Sequence, residues 1–192
     1  MRREAPLLLA TMAAMLLAAT GVALALTING TEGNDVLNGG SAADTIKGLG
    51  GSDAIFGKGG NDILEGGDGN DNQKTSLYDN VSKTYVGAGV RGASGDDTID
   101  GGKGDDDIEG NAGRDTVKDP APNDADRAWG GPDDDTLDIF DGDARDQAAC
   151  HDGNDTATID VLQDANGNRA ADQVAANCEK VIKKVTAVTT LP

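Results

Sequence analysis

Aromatic side chains are scarce in this chain: its 192 residues include two Phe, two Tyr and one Trp. Because aromatic residues supply much of the buried area of ordinary cores, a globular core of normal size cannot be assembled from this composition. Basic residues are also scarce, 16 against 34 acidic ones, for a net charge of −18. Nucleic acid and anionic membrane surfaces are therefore excluded as partners, since phosphate contacts require Lys and Arg.

Groups that carry catalysis are few. The single histidine, His151, lies next to Cys150 and has no plausible nucleophile with an orienting partner. Carboxylates are so numerous that no two stand out as a tuned acid and base pair. We therefore predict that the protein is not an enzyme.

The one long hydrophobic run lies at the N-terminus. Arg2 and Arg3 precede an apolar run over residues 5–25, which ends in a small-x-small motif at Ala23 to Ala25. This pattern predicts a Sec-type signal peptide over residues 1–25, cleaved after Ala25, and hence a secreted, extracellular protein without stable membrane association. Cleavage changes the formal charge from −18 to −19. The alternative is an uncleaved membrane anchor, since the run is long enough to span a bilayer.

The chain has two cysteines, Cys150 and Cys178. In an exported chain such a pair is most simply a disulfide, which here would close a loop worth about 3 kcal/mol. The alternative is a thiolate metal site, but no further Cys and no His other than His151 is present to complete it.

Aspartate, rather than acidity in general, dominates the composition. Of the 34 acidic residues 29 are Asp, and they occur among 28 glycines. Short carboxylates in glycine-rich loops suit cation ligation and tight turns. Because so charged and polar a chain repels itself, a cation must help it to fold.

A period of nine residues runs through the middle of the chain. The units span residues 30–38, 39–47, 48–56, 57–65 and 66–74, and then 92–100, 101–109 and 110–118. The eighth position is aliphatic except at Gln73. The first position is always glycine: Gly30, Gly39, Gly48, Gly57, Gly66, Gly92, Gly101 and Gly110. The sixth is always aspartate: Asp35, Asp44, Asp53, Asp62, Asp71, Asp97, Asp106 and Asp115.

This pattern resembles the hemolysin-type (RTX) nonapeptide repeat of secreted bacterial proteins, G-G-x-G-x-D-x-U-x, where U is aliphatic. The resemblance implies an all-β fold, a right-handed parallel β-roll or β-solenoid with Ca²⁺-binding loops, in which two repeats form one turn. It also implies that the glycines and aspartates named above hold several Ca²⁺ ions. The ending around Asp172 to Val174 and Asn177 to Glu179 is similar to the endings of several such proteins, which supports joining Cys178 to Cys150.

The residue chemistry agrees with this expectation. Glycine at positions one and four permits left-handed backbone angles, and the aspartate adds a carboxylate. Stacked turns should pair aspartates two repeats apart: Asp35 with Asp53, Asp44 with Asp62, Asp53 with Asp71, and Asp97 with Asp115. Oxygen ligands in a flexible cage favour Ca²⁺ over Mg²⁺ and transition metals. The alternative is a metal-free disordered linker, which needs neither the strict phase nor the aliphatic column.

The repeat is interrupted and then decays. We predict a first β-roll segment (26–74), an insert (75–91), a second β-roll segment (92–118), a linker (119–128), degenerate repeats (129–160) and a C-terminal β cap (161–192). The insert either bulges as a hairpin or follows the roll, and it is either a partner-binding patch or a plain surface loop. Asp135, Asp146 and Asp155 are further candidate ligands in the degenerate repeats.

These features predict a secreted structural protein that folds on binding Ca²⁺. One alternative is a calcium-dependent adhesion or matrix module that contacts cell-surface polysaccharide or protein through the insert and Trp129. Another is a small lyase or hydrolase on a solenoid surface. Many RTX toxins and proteases carry a C-terminal secretion signal, and the N-terminal signal of this chain departs from that pattern, so neither function is expected here.

Overall fold

The computed structural model describes residues 23–72, 76–79, 84–87, 89–167 and 169–188. Most of the predicted signal peptide, residues 1–22, lies outside this range. All regular elements in the described ranges are β-strands. Within those ranges no helix is long and apolar enough to cross a membrane.

Successive strands of the roll belong in turn to two main sheets. Sheet 1 contains β1 (Thr27–Asn29), β3 (Thr45–Gly50), β5 (Ile63–Asp68), β9 (Thr98–Lys103), β11 (Thr116–Lys118), β13 (Thr136–Asp138), β15 (Thr156–Gln163), β16 (Arg169–Ala171) and β18 (Lys180–Ala187). Sheet 2 contains β2 (Val36–Asn38), β4 (Ala54–Gly59), β8 (Gly89–Ser94), β10 (Asp107–Ala112), β12 (Arg127–Pro132), β14 (Gln147–Asp152) and β17 (Gln173–Val174). A separate pair is formed by β6 (Ser76–Asp79) and β7 (Thr84–Gly87).

Neighbouring strands within each main sheet are parallel, apart from β16 against β15. Ile46 in β3 lies beside Leu64 in β5, and Leu37 in β2 lies beside Ile55 in β4, so the chain advances by one turn every 18 residues. The result is a parallel β-solenoid of about seven turns. The predicted all-β, parallel β-roll architecture is confirmed.

The hydrophobic core is a thin layer between the two sheets. Each strand of the roll contributes one central side chain, and those of Ile46, Ile55, Leu64, Ile99, Ile108 and Val117 are fully buried. Towards the C-terminus several of these positions become alanine, at Ala128, Ala148 and Ala157. So narrow a core stabilises the fold weakly by burial alone, at roughly 25 cal/mol per Å² of apolar surface.

The insert is a hairpin that leaves the roll and returns to it. β6 and β7 pair with each other in antiparallel fashion, whereas β4 pairs directly with β8 and β5 with β9. Of the two paths left open by the sequence, the bulging hairpin is therefore the one adopted. Gly89 to Arg91, which we had assigned to the insert, form the start of β8.

This arrangement explains the one gap in the aliphatic column. Val90 is fully buried and lies beside Ile55 and Ile108. It therefore fills the core position that the nine-residue period assigns to Gln73. Gln73 itself lies outside the described residues. The hairpin thus splits a single repeat, whose loop ends at Asp71 and whose strand begins at Gly89.

The later turns are longer but remain in register. Between β10 and β15 the chain needs 20 residues per turn, as the pairing of Thr116 with Thr136 shows. The additional residues fall in the segments 119–126 and 139–146. Arg127 and Ala128, at the end of the predicted linker, already belong to β12.

The C-terminal residues close one end of the roll. β18 runs parallel to β15 along its whole length, and β16 folds back on the end of β15. Both strands lie within the segment predicted as the C-terminal β cap. Cys150 and Cys178 form a disulfide, as predicted.

Candidate metal centre

Two columns of acidic residues run along the roll, and each residue immediately precedes a strand, except Asp71, which the hairpin separates from β8. Column 1 precedes strands of sheet 1 and contains Asp44, Asp62, Asp97, Asp115, Asp135, Asp155 and Glu179. Column 2 precedes strands of sheet 2 and contains Asp35, Asp53, Asp71, Asp106, Asp126, Asp146 and Asp172. In both columns, the backbone N–H of each residue donates to a carboxylate oxygen of the next residue along the column. In column 1, for example, Asp44 N lies 2.7 Å from Asp62 Oδ1.

At eight of the fourteen column positions, the second carboxylate oxygen is buried and has no hydrogen-bond partner. This holds for the Oδ2 atoms of Asp53, Asp62, Asp71, Asp97, Asp106, Asp115, Asp135 and Asp155. These side chains belong to residues that are at most 2 % exposed. The first turn differs, because Asp35 Oδ2 accepts a bond from Thr31 N at 2.7 Å and Asp44 Oδ2 accepts one from Gly40 N at 2.6 Å.

These free oxygens point at the first-position glycines. At Gly66, for example, an added Cβ atom would lie 2.6 Å from Asp71 Oδ2 and would collide with the carbonyl oxygen of Gly101 in the next turn. The same two kinds of atom, a carboxylate oxygen of the same repeat and a glycine carbonyl of the next turn, surround Gly48, Gly57 and Gly92. The space freed by each missing side chain is therefore lined with oxygen.

The reason for glycine differs between positions one and four. Position-four glycines such as Gly51 and Gly60 have φ values of 111° and 100°, as predicted for left-handed backbone. None of the eight position-one glycines has a positive φ. At position one our explanation was wrong: glycine is required there because a side chain would collide with the neighbouring carbonyl and carboxylate oxygens.

The electrostatics of the columns resist ionisation. Burial, with a further contribution from the neighbouring carboxylates, raises the pKa of Asp53 to about 6, of Asp71 to about 7 and of Asp106 to about 8. The backbone N–H bond to each carboxylate lowers the pKa but does not offset burial. A polyvalent cation in this position would favour the charged carboxylates.

All the aspartates predicted as ligands lie in the columns, including Asp135, Asp146 and Asp155 of the degenerate repeats. The four predicted pairs are adjacent, since Asp35, Asp44, Asp53 and Asp97 each donate a backbone N–H to the partner expected from an 18-residue turn. Column 1 also continues across the hairpin, where Asp62 N lies 2.7 Å from Asp97 Oδ1. That each of these residues binds an ion stays a prediction.

Sequence reasoning missed several column members. Asp126, Asp172 and Glu179 occupy column positions but lie outside the nine-residue phase. Asp126 follows Asp106 by 20 residues, as Asp135 follows Asp115. A search for a second spacing of 20 residues would have found Asp126.

Three groups of carboxylates in the longer turns have ligand atoms within 4.8 Å of one another: Asp106, Asp119 and Asp126; Asp124, Asp141 and Asp143; and Asp143, Asp146 and Asp172. All three involve segment 119–126 or segment 139–146. Grouped carboxylate oxygens of this kind are the ligands that Ca²⁺ prefers.

A family model described as the RTX calcium-binding nonapeptide repeat (4 copies) matches residues 27–55, 48–72 and 90–117. The boundaries agree with the structure, because the matches stop at the hairpin and resume at Val90. No curated protein and no solved structure matches the chain.

Proposed function

Because the chain carries RTX calcium-binding nonapeptide repeats, we propose that it is an exported structural protein whose roll folds when Ca²⁺ binds to the two acidic columns. One observation carries the proposal: eight buried carboxylate oxygens along the columns lack any hydrogen-bond partner. An unpaired buried charge costs several kcal/mol, so near neutral pH eight ionised carboxylates are incompatible with a thin core unless a cation is bound.

The chain's own residues prepare these positions. Each backbone N–H from the preceding turn holds one carboxylate oxygen and so fixes the direction of the other. The first-position glycines keep that direction open and add a carbonyl oxygen. Bound calcium supplies the positive charge that lets adjacent turns approach without mutual repulsion.

Export is supported by two contacts. Leu26 N lies 2.7 Å from Asp44 Oδ1, in the position that a column member's backbone N–H would take. Cleavage after Ala25 would convert this N–H into an ammonium group next to a carboxylate, which strengthens the contact. The Cys150–Cys178 disulfide suits an oxidising compartment.

Calcium titration of residues 26–192, followed by far-UV circular dichroism, tests the proposal. We expect a transition from disordered chain to β-structure at roughly 10⁻⁴ to 10⁻³ M Ca²⁺, the range of extracellular modules. Asp53→Asn should raise the midpoint, because it removes a buried ligand charge. Asp133→Asn removes the same charge from an exposed loop and should leave the midpoint unchanged.

The proposal fails if the wild-type chain is equally folded in excess chelator and in calcium. It also fails if Asp53→Asn and Asp133→Asn shift the midpoint by the same amount. In that case calcium would act only as a general screening cation.

A second candidate, calcium-dependent adhesion to polysaccharide, is favoured by the surface around Trp129. Trp129 is half-buried and, with Asn111, His151 and Asp152, lines a depression of about 690 Å³. A broad apolar ring next to polar side chains suits the stacking of a sugar ring. Trp129→Ala should abolish calcium-dependent binding to insoluble cell-wall polysaccharide while leaving the folding transition intact.

A further inference from the structure

Asp119 is one of several buried carboxylates that lie outside both columns. Asp119 is 1 % exposed, and neither of its oxygens has a hydrogen-bond partner of normal geometry. Its backbone N–H donates to the Asp138 carbonyl at 3.0 Å, which fixes this part of segment 119–126 against the next turn. The side chain is thus held inside the protein beside three other carboxylates, and the backbone N–H of Ala121 only partly offsets their effect and that of burial on its pKa.

Two column members lie next to Asp119. Asp106, Asp119 and Asp126 each place one oxygen within 4.8 Å of the others. Two oxygens on opposite sides of a Ca²⁺ ion, each 2.3–2.6 Å from it, are about 5 Å apart, so the spacing suits one shared ion. Asp106 Oδ2 also lacks a partner, whereas Asp126 Oδ1 accepts the Asp106 backbone N–H at 2.8 Å.

The position of Asp119 in the turn explains why this group differs from the regular loops. In a regular turn, the first-position glycine faces a glycine carbonyl of the next turn, as Gly39 faces Gly57. Gly101 instead faces the Asp119 carboxylate, and a Cβ on Gly101 would also lie 3.1 Å from Asp106 Oδ2. A charged oxygen has therefore replaced a neutral carbonyl in the same place.

We propose that Asp106, Asp119 and Asp126 form a separate Ca²⁺ site of three carboxylates, which fills at lower free calcium than the nonapeptide loops. The affinity of oxygen-ligand calcium sites rises with the number of charged ligands, and a regular loop offers two aspartates against three here. The site lies where the turns lengthen from 18 to 20 residues. An ion bound there would join the regular array to the longer turns.

The test is to count bound ions by equilibrium dialysis of residues 26–192 against radioactive calcium. We expect wild type to show a tight class of one ion below the range in which the loops fill. Asp119→Asn should lose that class or weaken it about tenfold or more, since even residues outside the ligand shell change metal affinity by 10- to 100-fold. Asp126→Asn should affect the same class. The exposed, matched change Asp133→Asn should leave it intact.

Each alternative outcome is decisive. If Asp119→Asn retains the tight class, Asp119 is only a neutral buried acid and the site does not exist. If Asp119→Asn fails to give β-structure at saturating calcium, the count for Asp126→Asn decides, and an intact tight class there overturns the proposal. If wild type binds calcium only in the loop range, the separate site fails while the proposed function stands.

Discussion

Glycine at position one and aspartate at position six act on the same small volume. The glycine leaves the space empty, and the aspartate directs an oxygen into it, as at Gly66 and Asp71. The neighbouring turn closes the space with a carbonyl oxygen, here that of Gly101. Neither residue has this role without the other, which explains why both recur with the same phase.

Gly66→Ala should therefore be much more harmful than an ordinary loop substitution. The new methyl group would collide with the Gly101 carbonyl oxygen and lie 2.6 Å from Asp71 Oδ2. We expect a loss of about 1–3 kcal/mol in the free energy of unfolding at saturating calcium, the usual cost of overpacking. Urea unfolding followed by circular dichroism measures it.

Gly33→Ala is the matched control. A methyl group on Gly33 would have Thr31 Oγ1 at 3.8 Å as its nearest neighbour. The two alanine variants should differ clearly in stability. Equal stability would contradict the steric explanation for glycine at position one.

One cysteine of the disulfide, Cys150, occupies the position that glycine holds at the start of the regular repeats. Cys150 is fully buried and takes the first place of the loop that ends at Asp155. Replacing Cys150 and Cys178 together with alanine should lower the free energy of unfolding by about 3 kcal/mol, because the bridge restricts the unfolded chain. Urea unfolding of the double variant and of wild type, both at saturating calcium, gives the difference. Identical unfolding curves would show that the bridge contributes nothing to stability.

At the scale of elements, the roll accommodates a long addition between a loop and its strand. The hairpin of β6 and β7 enters after Asp71, and the spacing from Asp71 to Asp106 becomes 35 residues instead of 18. Both ends of the addition still meet their neighbours, since Asp71 N lies 2.7 Å from Asp106 Oδ1 and Gly89 N lies 2.7 Å from the Asp53 carbonyl.

Deletion of residues 72–88 should consequently leave a foldable roll. It joins Asp71 to Gly89 and restores an 18-residue spacing to Asp106. The Asn72 side-chain bond to the Asp105 carbonyl is lost, at a cost of about 1 kcal/mol, and the shorter loop offsets part of it. The net change in folding free energy should therefore be about 0.6 kcal/mol, which is close to RT. A change of that size alters an equilibrium constant about threefold, so the calcium midpoint measured by circular dichroism should stay within about threefold of wild type.

Deletion of residues 92–108 is the matched control for length. It also removes 17 residues, but it brings strands together one residue out of register and removes two column aspartates. Since a one-residue slip turns core side chains outward, this variant should not form the roll. Equal behaviour of the two deletions would contradict the split-repeat assignment.

At the scale of the whole molecule, the stability of the fold depends on the protonation state of the column carboxylates. Burial raises the pKa of column carboxylates such as Asp106, to about 8, and Asp126, to about 9, from the ordinary value of 3.8. The folded chain therefore holds protons that the unfolded chain releases. Without calcium, the resulting stability is present below about pH 4 and is lost as the pH rises through these folded-state values.

In calcium-free buffer, residues 26–192 should have more β-structure at about pH 5 than at about pH 8. With calcium the order reverses, because ligand carboxylates must lose their protons to bind the ion. Circular dichroism across this range, with and without calcium, measures both trends. A calcium-free chain that gains structure as the pH rises would contradict the assigned burial of the carboxylates.

The sequence by itself determined the repeating part of this protein. A nine-residue period places one aliphatic side chain and one carboxylate in every strand and loop, and parallel stacking then pairs residues 18 apart. For this reason the core from Ile46 to Val117 and the pairs such as Asp44 with Asp62 followed from the period, once the resemblance to the RTX repeat implied a β-roll with two repeats per turn.

Only the tertiary structure decided what happens where the spacing changes. Val90 takes a core position across the hairpin, and Asp119 enters a group with Asp106 and Asp126. These neighbours are set by the closure of turns of unequal length, which a fixed period cannot represent. The physical reason is that hydrogen bonding between adjacent strands keeps the sheets in register and leaves the loops to absorb every difference in length.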